Sequence, residues 1–161
     1  MHFIRTAAIV LARFLLSAIF LTSAVNRLFH WHETEKIVTN ILCDWQTYVG
    51  FSSVMQKCFV VLTPWTPLLL IVATLLELIG GLFLLVGTRE KLGAGLLISF
   101  LIPSTLFMHQ FWFLDGPDKP MEQIMFLKNM AILGGLIMVV LHGAQTSGRD
   151  EDGFNSGSHQ Y

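Results

Sequence analysis

The sequence predicts an all-α membrane protein: an antiparallel four-transmembrane-helix bundle with an interfacial helical hairpin between helices one and two. Three observations predict it. Of the 161 residues, 53% are hydrophobic and only 13% charged, where a soluble domain carries roughly a quarter charged residues. The apolar residues are gathered into four runs, each long enough to cross a hydrocarbon core of ~30 Å at ~1.5 Å per residue. The ionisable residues inside those runs recur at helical spacing beside small residues, as in helices that pack face to face in lipid.

The spans are expected at about 6–29, 66–87, 91–114 and 124–144. The first is interrupted by Arg13, Asn26 and Arg27, and the second holds a single charge, Glu77. The third contains Pro103 and His109, and the fourth Lys128 and Asn129. Helices are the reading for all four, because backbone in lipid must satisfy its own hydrogen bonds. Pro103 is expected to kink its helix, which membrane helices tolerate. A short basic start and Thr22-Ser23-Ala24 resemble a cleavable leader, but Arg13 and the length of the run favour a retained span. The four spans and their connections form one unit, 1–145. The stretch 146–161 is polar and rich in Gly and Ser, and reads as a disordered tail.

Between the first two spans, Ile37, Ile41, Trp45 and Tyr48 recur at helical spacing, with Glu33, Glu35, Lys36 and Asp44 elsewhere around the turn. This is the pattern of an amphipathic helix lying at the membrane surface. Val54 to Leu62 returns as a second short helix before Pro64 and Pro67. Cys43 and Cys58 fall one on each arm. They are either a disulfide, worth about 3 kcal/mol for a loop of this size outside the cytoplasm, or two unrelated small buried hydrophobes.

Composition also excludes some functions. A net charge of −1 gives no basic patch for nucleic-acid phosphates. Two cysteines are too few for a disulfide scaffold and lack zinc-site spacing. The chain has no CxxC, CxxCH, phosphate-binding loop or dinucleotide-binding glycine pattern. His2, His30, His32, His109, His142 and His159 show no metal-ligand spacing, so no metal is expected. Lys and Arg in the short loops place both termini in the cytoplasm.

The polar residues inside the spans are the candidate site. A charge at mid-bilayer costs at least ~2.5–3.5 kcal/mol, so such residues face one another or a cavity. Arg13, Ser17, Ala24 and Arg27 form one stripe of the first helix. Ala73, Glu77 and Gly80, with Thr74 and Gly81, form one of the second. Gly95, Ser99, Leu106 and His109 are expected to face inward from the third, and Lys128, Ala131, Gly135 and Met138 from the fourth. Glu77 is the only acid inside any expected span, and Arg13 or Lys128 is the cation expected beside it. Arg27, His109 and Lys128 lie within about two turns of one face. The expected picture is a cationic vestibule with a carboxylate at its base. Its bland counterpart is a buried ion pair that fixes helix register. Trp112, flanked by Phe111 and Phe113, reads as an interfacial anchor.

Ala12-Arg13-Phe14-Leu15-Leu16-Ser17-Ala18-Ile19-Phe20 resembles the first helix of the DoxX family. The stretch from Glu77 through Gly80-Gly81 to Gly87, followed by Arg89, resembles its most specific motif. His109-Gln110-Phe111-Trp112 and Phe126 to Gly135, which includes Lys128 and Asn129, extend the resemblance over about 8–142. Ala24, Asn26 and Arg27 depart from it, where the family often has a glycine followed by a lysine. The resemblance implies a four-helix membrane protein in the bacterial inner membrane. Some members are membrane subunits of a thiosulfate:quinone oxidoreductase, others are associated with thiol or oxidative stress, and eukaryotic relatives include a cargo receptor. It therefore implies a quinone as the cofactor and a soluble or membrane redox protein as the partner. Glu77 and His109 would then be the proton-handling residues, with Arg13, Arg27, Lys128, Asn129 and Trp112 around the substrate. A competing expectation is a non-catalytic module for an anionic small molecule, or a scaffold for a partner protein.

Overall fold

The computed structural model describes residues 2–143, and the expected tail lies outside them. Six α-helices follow in order: α1 (His2–Phe29), α2 (Trp31–Tyr48), α3 (Ser53–Leu62), α4 (Thr66–Val86), α5 (Glu90–Met108) and α6 (Lys119–His142). Short 3-10 turns join α3 to α4 and follow α5. Four stretches are long and apolar enough to cross a membrane: Thr6–Phe29, Ser53–Val86, Glu90–Phe113 and Lys119–His142.

Local chemistry sets the helix ends. Pro67 and Pro120 sit in the first turns of α4 and α6, where a missing N–H costs nothing. α4 ends at Gly87, which adopts φ 77° and donates its N–H to the Phe83 carbonyl at 3.0 Å, a left-handed cap that glycine takes without penalty. Two boundaries differ from the sequence reading. α5 stops at Met108, and 111–113 form a separate turn, so His109 and Trp112 are not on the spanning helix. Trp45 explains part of this stop, because its indole N–H donates to the Phe107 carbonyl at 3.3 Å and takes over an acceptor the helix would otherwise leave open. α6 begins at Lys119 rather than 124, since its polar first turn carries Pro120 and Glu122, both suited to a helix N-terminus.

α4 packs against α1 and α5, and α5 packs against α6, whereas α6 meets α1 over a short stretch that includes Leu16 and Gly135. The tightest crossing joins α4 to α5. A Cβ on Gly93 would lie 2.8 Å from the Gly80 carbonyl oxygen, and one on Gly80 would lie 2.8 Å from Leu97 Cγ. The core beside this crossing is Phe20, Leu84, Leu97, Phe100, Leu101 and Leu136.

On α1 and α4 the expected stripes face inward: Ser17, Ala24, Thr74, Glu77, Gly80 and Gly81 are all buried. On α5 and α6 the faces differ from expectation. α5 buries Gly93, Ala94, Leu97, Phe100, Leu101 and Thr105, and leaves Ser99 and Leu106 exposed. α6 buries Leu136 and exposes Lys128, Ala131 and Met138. The glycine crossing and large aliphatic side chains, not the polar residues, choose these two seams.

The hairpin is present. α2 and α3 pack around Leu42, Val49 and Phe59, with Trp45 stacked on Phe59 at 5.7 Å and edge-on to Phe107 at 5.6 Å. Gln46 donates to the Thr63 hydroxyl at 2.8 Å, tying α2 to the start of the second span. Cys43 and Cys58 are both free and exposed, so they are neither bonded to each other nor the buried hydrophobes of the alternative reading. Each follows or precedes an inward residue, Leu42 or Phe59, and a step of about 100° turns its thiol away from the packed face.

Gly93→Ala should separate α4 from α5 and lower stability by about 1–3 kcal/mol, read as thermal unfolding in detergent. Gly95→Ala, whose Cβ meets nothing within 4 Å, should leave the midpoint unchanged. Both thiols should label with a maleimide in the folded protein, without prior reduction.

Candidate functional site

Glu77 lies near the middle of α4 and is 1% exposed. Its partner is Arg27, from the last turn of α1, whose Nη1 donates to the carboxylate at 2.7 Å. The same nitrogen lies 3.4 Å from the Thr74 hydroxyl, and Ser23 adds a second polar side chain beside the carboxyl. The guanidinium carbon sits 5.3 Å from the centre of the Phe100 ring, within range for a cation–π contact. One arginine thus draws together α1, α4 and α5.

Neither cation expected beside Glu77 is there. Arg13 is paired with Glu90 in the first turn of α5, and its guanidinium lies against Gly87. Gly87 is ten residues beyond Glu77, about 15 Å along the helix, so Arg13 serves the opposite end of the bundle. A cation at the end of α4 and an acid at the start of α5 each complement the helix dipole. Lys128 is on the exposed face of α6, with its ammonium 3.2 Å from Met125 Sδ. Asn129 is half-buried on the same helix. His109 Nδ1 lies 2.7 Å from a Glu122 carboxylate oxygen, across the turn between α5 and α6. Trp112 belongs to an aromatic cluster, edge-on to Trp45 at 6.4 Å and to Phe126 at 5.9 Å. Sequence reasoning missed Glu90 and Glu122 because both stand in polar first turns of helices, outside the apolar runs.

A cavity of about 380 Å³ opens beside the Arg27–Glu77 pair. α4 contributes Leu69, Leu70, Val72, Ala73 and Leu76 to its wall, and α5 contributes Phe100, Phe107 and Met108. α2 covers it with Thr34, Val38, Ile41 and Leu42. Its polar features are the Thr34, Ser99 and Ser104 hydroxyls and Arg27, the only charged residue in the lining. Of Arg13, Arg27, His109, Lys128, Asn129 and Trp112, only Arg27 lines it. The expected cationic vestibule is therefore an apolar chamber with one guanidinium, because the other cations are turned to other partners or outward. Volumes of ~300–1,000 Å³ with apolar walls and a few placed polar groups suit small-molecule binding. Among the described residues no cluster of three or more His, Cys, Asp or Glu could hold a metal ion.

Removing one member of the buried pair strands the other. Arg27→Met should cost about 3–5 kcal/mol, and Arg27→Met combined with Glu77→Met should recover most of it, measured as unfolding midpoints in one detergent.

No curated protein and no solved structure matches the chain. A family profile described as DoxX matches residues 8–110, which takes in α1 to α5 and stops before α6. With four stretches apolar enough to span a bilayer, a buried Glu77 and the glycine pair after it, this integral membrane protein belongs to the DoxX family.

Proposed function

We propose that the chain is a quinone-interacting membrane subunit of an oxidoreductase, and that the quinone or quinol binds in the cavity beside Arg27. The observation that carries this reading is the chamber itself. It is walled by aliphatic and aromatic side chains and reached by a single guanidinium whose charge Glu77 already meets. Such a site suits a lipid-soluble ligand with a neutral, hydrogen-bond-accepting head. An anion would have to displace Glu77 and leave it buried without its cation, which costs several kcal/mol.

Arg27 donates to a carbonyl oxygen of the bound ring and fixes its position. Glu77 does not line the cavity; it acts through Arg27 and is a positioning residue. Reduction of a quinone takes up two electrons and two protons. The electrons come from a partner protein, and we assign delivery of the protons to the His109–Glu122 couple, one residue beyond Met108 of the cavity wall. In the inner membrane of a bacterium with both termini cytoplasmic, the cavity and its α2 cover lie in the outer half of the bilayer.

Protein purified in mild detergent should carry a quinone in near-stoichiometric amount, identified after solvent extraction, and should bind a short-chain quinol analogue. Ser99→Phe, which fills the chamber, should abolish both. Glu77→Gln should retain the fold and bind the analogue about tenfold more weakly, the effect of losing roughly 1.4 kcal/mol of positioning. Folded wild-type protein with neither quinone nor a response to the analogue would overturn the proposal.

A further inference from the structure

Pro103 lies inside α5, and the helix runs through it without interruption. Proline has no N–H, so the carbonyl four residues earlier, that of Ser99, loses its helical donor, and the ring pushes that carbonyl away from the axis. Ser99 and Pro103 both line the cavity. The Ser99 hydroxyl does not compensate, because it donates to the Gly95 carbonyl at 2.9 Å. A membrane interior supplies no water to satisfy such a group, and freed carbonyls are found where they line a cavity or meet a partner.

The chamber thus has a second pole. Arg27 can only donate, and the Ser99 carbonyl can only accept. Phe100 follows Ser99 in the chain and lies under the Arg27 guanidinium, so both poles stand at one end of the cavity wall. A ring carrying one acceptor and one hydroxyl satisfies both; a ring carrying two carbonyl oxygens satisfies Arg27 alone.

We propose that the Ser99 main-chain carbonyl, freed by Pro103, accepts a hydrogen bond from a ligand hydroxyl and makes this cavity selective for the reduced, hydroquinone form of its ligand. Selectivity of this kind sets the direction of the subunit's work. A site that holds the hydroquinone more tightly than the quinone raises the reduction potential of the bound couple and favours its reduction there. This inference rests on the quinone reading above.

The test is the ratio of two dissociation constants, for the quinone and hydroquinone forms of one short-chain analogue, under air and under reductant. Pro103→Ala and Pro103→Val both restore the N–H and close the helical bond to Ser99, and they differ in the volume they leave. The wild type should favour the hydroquinone by about three- to tenfold, the worth of one net hydrogen bond. Both variants should lose that preference while keeping quinone affinity. An unchanged ratio in both variants, with both forms still bound, would overturn the role of Ser99 and leave the cavity reading intact. A ratio that follows side-chain volume, lost in Ala and kept in Val, would assign the preference to shape and also overturn it. If folded wild-type protein binds neither form, the quinone reading fails and this inference falls with it.

Discussion

A carboxylate cannot be left alone at bilayer depth, and Glu77 sits near the middle of a spanning helix. Much of the bundle follows from meeting that need. The cation comes from the last turn of α1 and reaches inward, so α1 is fixed in register along α4. The guanidinium touches Thr74 on α4 and faces the Phe100 ring on α5, which extends the constraint to a third helix. Ala24, Gly80 and Gly81 lie along the same seams, and their small size lets the backbones come close enough for the reach to succeed. At the far end Arg13 is held by Glu90. The two pairs are about 21 Å apart along α1. A helix clamped at two such distant points, once to α4 and once to α5, can neither slide nor rotate against them without stranding a charge.

How much of this was legible in the sequence depended on where the charges were. The four spans were legible because a bilayer demands long apolar runs, and the hairpin was legible because charged and apolar residues alternate around α2. The inward stripes of α1 and α4 were legible because Arg27 and Glu77 mark them. The apolar residues of α5 and α6 are spread around each helix rather than gathered on one face, and lipid is as hospitable to leucine as a neighbouring helix is. Periodicity therefore could not choose their faces. It put Lys128 inward, whereas the seam of α6 is set by Leu136. Pairing was also hidden. Arg27 and Glu77 are fifty residues apart, and Glu90 and Glu122 lie in the polar first turns of α5 and α6, which no apolar run flags. The cavity left no trace in the sequence, since it is the space between α4 and α5 that α2 covers.

The hairpin is thus part of the site rather than a loose connection. α2 places Thr34, Val38, Ile41 and Leu42 over the chamber while Trp45 takes the Phe107 carbonyl and stacks on Phe59. The aromatic cluster around Trp45, Phe113 and Trp112 gives α2 a rigid seat at the end of α5. A ligand entering from the lipid would pass between largely apolar walls and meet their one charged group at Arg27.

At the depth of Arg27 the ion pair would constrain a ligand as well as the fold. Arg27 has five N–H donors, and both contacts with Glu77 and Thr74 are made through Nη1. The remaining donors can meet a neutral oxygen without disturbing the pair. A ligand carboxylate would compete with Glu77 for the same charge, and the loser would be left in a low-dielectric interior. On the quinone reading, the arrangement that keeps α1 in register would therefore also disfavour anions, with no residue dedicated to that task. The acceptor proposed at Ser99 would add a polarity that Arg27, a donor only, lacks, and would let the chamber tell one end of a ring from the other. Register and, on that reading, the exclusion of charge both trace to one buried acid and to the arginine that meets it.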